Sequence, residues 1–153
     1  MRGVLRSWCG LRRSEEGSVV IESAFVIPLL VLMALGGFEA SRIVSRHNEL
    51  QTAVAEAAAI VLANLPEEQS EYDQIELIIE TSTGLPANKV LLTKKYRCNA
   101  DASLVADVTS CATGAVISEI VQINLWDTYT PVWTSFGFGQ DVEYKIFRRV
   151  QIS

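Results

Sequence analysis

From Gly17 to Phe38 the chain reads Gly-Ser-Val-Val-Ile-Glu-Ser-Ala-Phe-Val-Ile-Pro-Leu-Leu-Val-Leu-Met-Ala-Leu-Gly-Gly-Phe, and Glu22 is the one charge between Ser18 and Phe38. Coiled as a helix, this run is roughly 30 Å long at about 1.5 Å per residue. That length matches the hydrocarbon core of a bilayer, which makes the run a membrane-helix candidate. Two features do not suit an ordinary anchor. A carboxylate sits near the start of the run, and a short basic leader precedes it, ending in Gly17. An ionisable side chain in such a segment costs on the order of a few kcal/mol at mid-bilayer and less near the interface, so Glu22 calls for a partner or a purpose.

Charge orients the segment. The leader holds Arg2, Arg6, Arg12 and Arg13 against Glu15 and Glu16, a net of +2, while the whole chain is −5, which leaves −7 beyond Gly17. Arginine clustered ahead of the apolar run places the N-terminus in the cytoplasm and the remainder across the membrane. Arg42 and Arg46 follow closely and weaken that bias somewhat. An acidic body without a basic stripe argues against nucleic-acid binding. The 153 residues suffice for one modest domain plus a membrane segment, and no internal repeat is visible.

Beyond Phe38 the helical pattern continues. Ile43, Leu50, Val54, Ala57 or Ala58, Val61 and Leu65 recur at spacings of one helical face, with Arg42, Arg46, Glu49, Gln51 and Glu56 elsewhere. Alanine, the best helix former, is dense from Ala53 to Ala63, and Asn64 and Pro66 mark the stop. The expectation is one helix from Ser18 to about Leu65, apolar all round in its first half and amphipathic in its second. Pro28 should kink it, either as an ordinary membrane-helix proline or as a hinge.

A second helix is expected over Glu67–Ser82. Glu67, Glu68 and Glu71 favour its start, Tyr72, Ile75, Ile78 and Ile79 form its stripe, and Gly84 and Pro86 end it. From Lys89 the period becomes alternating: Val90, Leu92, Tyr96 and Cys98 share one face of a strand. Val116–Tyr129 is a second strand with Val121, Ile123 and Leu125 facing one way. Asp141–Ile152 is a third, with Val142, Tyr144, Ile146, Val150 and Ile152 inward and Arg148 interrupting. The link between the last two carries Trp133, Phe136 and Phe138 among glycines and a proline. Such rings either meet a partner or membrane surface, or fold back over the small sheet.

Of three cysteines, Cys9 lies in the leader, whereas Cys98 and Cys111 both fall in the exported part. These two can pair in an oxidising compartment, closing a loop worth about 3 kcal/mol; the alternative is two free buried thiols. Their spacing is poor for a metal site, and no cofactor is implied. The single histidine, His47, reads as a surface residue, and no phosphate loop, nucleophile elbow or zinc-ligand spacing occurs. No catalytic site emerges.

Gly17 followed by Ser18-Val19-Val20-Ile21-Glu22 resembles a type IV prepilin cleavage site. The wider run to about Ala59, with Glu22, Pro28, Phe38-Glu39, Arg42 and Ala53 through Ala59, resembles the TadE-like family of minor pilins or pseudopilins of tight-adherence, Flp-type pilus systems. Ser23 departs from it, standing where many relatives carry an aromatic. Tyr129-Thr130-Pro131 and the final Arg-Arg-Val-Gln resemble the C-terminal halves of that family less specifically. The resemblance implies cleavage after Gly17 by a prepilin peptidase, leaving Ser18 as the new terminus. It also implies that Glu22 pairs with the terminal amine of a neighbouring subunit; the rival reading is a carboxylate snorkelling at the membrane edge. Implied partners are the peptidase, other pilins or pseudopilins, the assembly platform and the inner membrane.

The expected fold is α+β: a long N-terminal helix, a second helix and a small three-stranded antiparallel sheet. Expected divisions are a leader at 1–17, a transmembrane half-helix at 18–38, an amphipathic half at 39–65 and a periplasmic head at 66–153. Two other outcomes stay open. One is an uncleaved, signal-anchored periplasmic binding or structural protein. The other is a secreted protein cut at Ala34-Leu35-Gly36, disfavoured by the charged leader and the unbroken helix.

Overall fold

The computed structural model describes residues 15–153, with side chains from residue 19 onward; most of the expected leader, Cys9 included, lies outside the described residues. The chain divides after Ser41 into two compact units. Helix α1 (Glu15–Asn64, 50 residues) contributes to both. It keeps its helical backbone through Pro28. In the first unit its large apolar side chains face outward on every side, and Val19, Val20, Phe25, Leu32, Met33 and Phe38 are each more than half exposed.

The second unit is the head. The rear of α1 buries one face, Leu50, Ala53, Val54, Ala57, Ala58 and Val61, as its spacing predicts. Leu65 is a correction to that reading. It lies past the helix end in a left-handed conformation (φ 44°), with its N–H on the Val61 carbonyl, and its side chain is half exposed. The turn frees the chain to reverse, and Pro66, fully buried, blocks any further helix.

Helix α2 (Gln69–Thr83) follows. The Glu71 carboxylate accepts the N–H groups of Glu67 and Glu68 (2.7 and 3.2 Å), and Gly84 ends the helix in the left-handed region at φ 68°. Its buried stripe is Tyr72, Ile75, Ile79 and Thr83. Ile78, expected inside, is half exposed. Residues 78 and 79 both continue the helical spacing from Ile75, and the fold selects the second.

Strands β1 (Val90–Cys98), β2 (Ile117–Tyr129) and β3 (Val142–Gln151) form one antiparallel sheet in the order β1-β2-β3. Register is in step with the alternating pattern: Val90 faces Leu125, which faces Ile146, and Val121 faces Val150. These residues join the helical faces in a single core. One face of the sheet is therefore roofed by helices. The other carries Leu91, Asn124 and Phe147 in one cross-strand row, with Phe147 exposed. The β1 edge is occupied in part: Leu92 N–H donates to Glu76 Oε1 (2.5 Å), and Tyr96 exchanges backbone hydrogen bonds with Val105. Covering strand edges in this way blocks unwanted pairing.

Candidate functional site

Three regions bear on function: the start of α1, the tie at Arg46, and the hairpin between β2 and β3. Gly17 and Ser18 have helical backbone in α1, and Glu22 is exposed one turn beyond Ser18. Positions four apart share a helix face, so a new amine at Ser18 and the Glu22 carboxylate would lie on the same side. Val19–Asn64 is one helix long and apolar enough to cross a membrane, with a mean hydropathy of 2.4 in its most apolar window, and none of that window is buried within the protein. Glu39, which the family resemblance singled out without a role, is buried at 3% exposure and does not stand without an interaction.

Arg46 holds the head to α1, and nothing in the sequence marked it for that. Its Nε donates to Asp127 Oδ2 on β2 (2.7 Å), one Nη donates to the Thr83 carbonyl at the end of α2 (2.8 Å), and the same nitrogen meets Glu49 (3.0 Å). Three elements thus meet at one guanidinium. Burial works against its charge, but the hydrogen bonds and charges of Asp127 and Glu49 prevail and raise its pKa further. Beside it, the Tyr144 hydroxyl on β3 donates to the Ile43 carbonyl (3.0 Å), and Arg42 stands over the Tyr129 ring at 5.6 Å. His47 is exposed on α1, within 3.3 Å of Gln51 and tilted toward Tyr144. Among the described residues, no group of three or more His, Cys, Asp or Glu is placed to hold a metal ion.

Cys98, at the end of β1, is bonded to Cys111. The loop so closed contains Val105, whose pairing with Tyr96 lays it along the β1 edge. The β2–β3 hairpin is equally ordered. Pro131 is fully buried, a 3-10 turn covers Val132–Phe136, and Gly137 closes it at φ 77° with its N–H on the Thr134 carbonyl. Trp133 is half-buried and lies against Gly139, where a Cβ would come within 2.8 Å of its Nε1. Phe136 and Phe138 do not fold back: they are 72% and 70% exposed.

The long helix, exposed and apolar at its front and packed against a small α+β head at its rear, is consistent with a single membrane-spanning segment. Residues 17–59 match the family model described as TadE-like protein, under half of the chain. The matched stretch begins at Gly17 and takes in Glu22, Pro28, Glu39, Arg42 and the alanine-rich rear of α1. No curated protein and no solved structure matches the chain.

Proposed function

We propose that this chain is a TadE-like pseudopilin, a structural component and not an enzyme. It is inserted in a bacterial inner membrane with its N-terminus cytoplasmic and its head periplasmic. A prepilin peptidase cuts it after Gly17, and the mature chain serves as a minor component in assembling an adhesive Flp-type pilus, in contact with other pilins or pseudopilins and the assembly platform. The observation that carries this reading is the family match starting at Gly17 and running through Glu22 into α1. The exposure of the front of α1 supports it, since large apolar side chains left exposed from Val19 to Phe38 call for an apolar solvent.

Each site residue then has a task. Gly17 supplies the scissile carbonyl and Ser18 the new amine. Glu22 pairs with the amine of a neighbouring subunit, because in a low-dielectric filament core either charge alone is costly and the pair sets axial register. The Cys98–Cys111 bond persists in an oxidising periplasm. The test is genetic and direct. Gly17→Ala, or a bulkier residue there, should leave full-length precursor when the peptidase is present. Unchanged processing and pilus production in that variant would sink the proposal. Glu22→Ala should insert normally yet give fewer pili.

A further inference from the structure

The hairpin's position within the head says more than its exposure does. Strand β2 runs antiparallel to α1: Asp127 meets Arg46, and two residues on, Tyr129 meets Arg42. The hairpin therefore leaves the head at its Arg42 end, where α1 enters it. Arg42 is four residues past Phe38, the last residue of the apolar run. Four residues reach at most about 14 Å fully extended and about 6 Å as a helix. A headgroup layer is roughly 5–8 Å thick on each side of the hydrocarbon. The start of the hairpin is thus tethered within a short reach of the end of the apolar run.

The hairpin's chemistry suits the headgroup layer. No charge lies between Asp127 and Asp141, in a chain that is 20% charged. Val132, Phe136 and Phe138 are exposed, and Trp133 sits beside them with its indole fixed against Gly139. Aromatic and apolar side chains presented from a closed turn are what membrane interfaces collect. The turn is preorganised by Pro131, Gly137 and Trp133, so little order is lost when the rings enter lipid.

We propose that the 130–140 hairpin is an interfacial anchor. Phe136, Phe138 and Val132 enter the outer edge of the bilayer that α1 crosses, with Trp133 at headgroup depth, as a second attachment to lipid. The inference rests on the reading of the apolar half of α1 as a membrane span.

The test uses the full chain with Trp8→Phe and Trp126→Phe, leaving Trp133 as the one tryptophan, reconstituted in vesicles of phosphatidylethanolamine and phosphatidylglycerol. Brominated phospholipids should quench Trp133, more strongly with bromines high on the acyl chain than with bromines deep in it. Phe136→Ser with Phe138→Ser should shift Trp133 emission to the red and remove most of the quenching. A second reporter, Phe136→Trp with Trp133→Phe, should be quenched as well. A protein that resists alkaline carbonate but shows water-like, unquenched Trp133 overturns the proposal and leaves the span intact. That is the outcome expected if the rings serve a protein partner instead. Release of the chain by carbonate overturns the span, and the anchor with it.

Discussion

The two halves of α1 are covalently one helix and physically two. Ahead of Ser41, large apolar side chains such as Phe25, Leu32 and Met33 are each at least two-thirds exposed. Behind it, Leu50, Val54 and Val61 are almost wholly buried while Val44 and Leu62 stay outside. The rear half has a stripe because water lies on one side of it and a sheet on the other. The front half has no stripe, as expected of a helix surrounded by a single apolar solvent. Amphipathicity in a helix is thus a record of how many environments it meets.

That contrast can be broken from either end. Leu32→Arg should add about 3–4 kcal/mol to the cost of membrane insertion and release the protein from the membrane fraction, with the head still folded. Leu50→Ala should do the reverse, destabilising the head by about 2–5 kcal/mol without loosening membrane attachment. Thermal melts and carbonate extraction of both variants separate the two effects. A Leu32→Arg protein that stays membrane-bound would mean that the front half has another partner.

Removing the disulfide by Cys98→Ser with Cys111→Ser should lower head stability by about 3 kcal/mol, in denaturant melts, and leave extraction unchanged. Arg46→Ala, which strands Asp127 and the Thr83 carbonyl, should cost about 1–3 kcal/mol. Its effect should shrink in an Asp127→Asn background, since the two residues share one interaction.

The smallest effect concerns acid. Burial pushes the Glu76 carboxyl up, against the pull of the Leu92 N–H, whereas hydrogen bonds from Glu67 and Glu68 hold Glu71 down. A raised folded value means that the fold favours the protonated form of Glu76. That stability is present below the unfolded carboxyl range and lost as pH rises through the folded value. Glu76→Gln, which keeps an acceptor for Leu92, should therefore melt higher than the parent at neutral pH, and the gap should close as the solution is acidified. Glu71→Gln should behave oppositely, melting lower at neutral pH and losing that deficit in acid.

Much of this was legible because the relevant signals are local. The spacing of Leu50, Val54 and Val61, the stop at Asn64 and Pro66, the alternation in β2 and the placement of two cysteines beyond the apolar run each depend on neighbours in sequence. What escaped depends on distant ones. Ile78 and Ile79 fit the same helical spacing, and only the docking of α2 chooses between them. Ile120 is buried on the face of the sheet that the helices do not cover, opposed by Lys95 and Gln151, where alternation alone placed a polar surface. Arg46 resembled any surface arginine until Asp127, eighty-one residues away, was beside it. At the candidate site, Gly17 and Glu22 were readable as a motif, whereas the direction in which the aromatic hairpin leaves the head was not.

The central claim is that the front half of α1 belongs to a processed pseudopilin and not to a permanent anchor. Mass spectrometry of the mature protein, isolated from cells that make the pilus and its peptidase, tests it most directly. The account predicts a chain beginning at Ser18, with Glu22 fifth from the new terminus. A mature chain that still begins at Met1, or one that begins at Gly37, would contradict it.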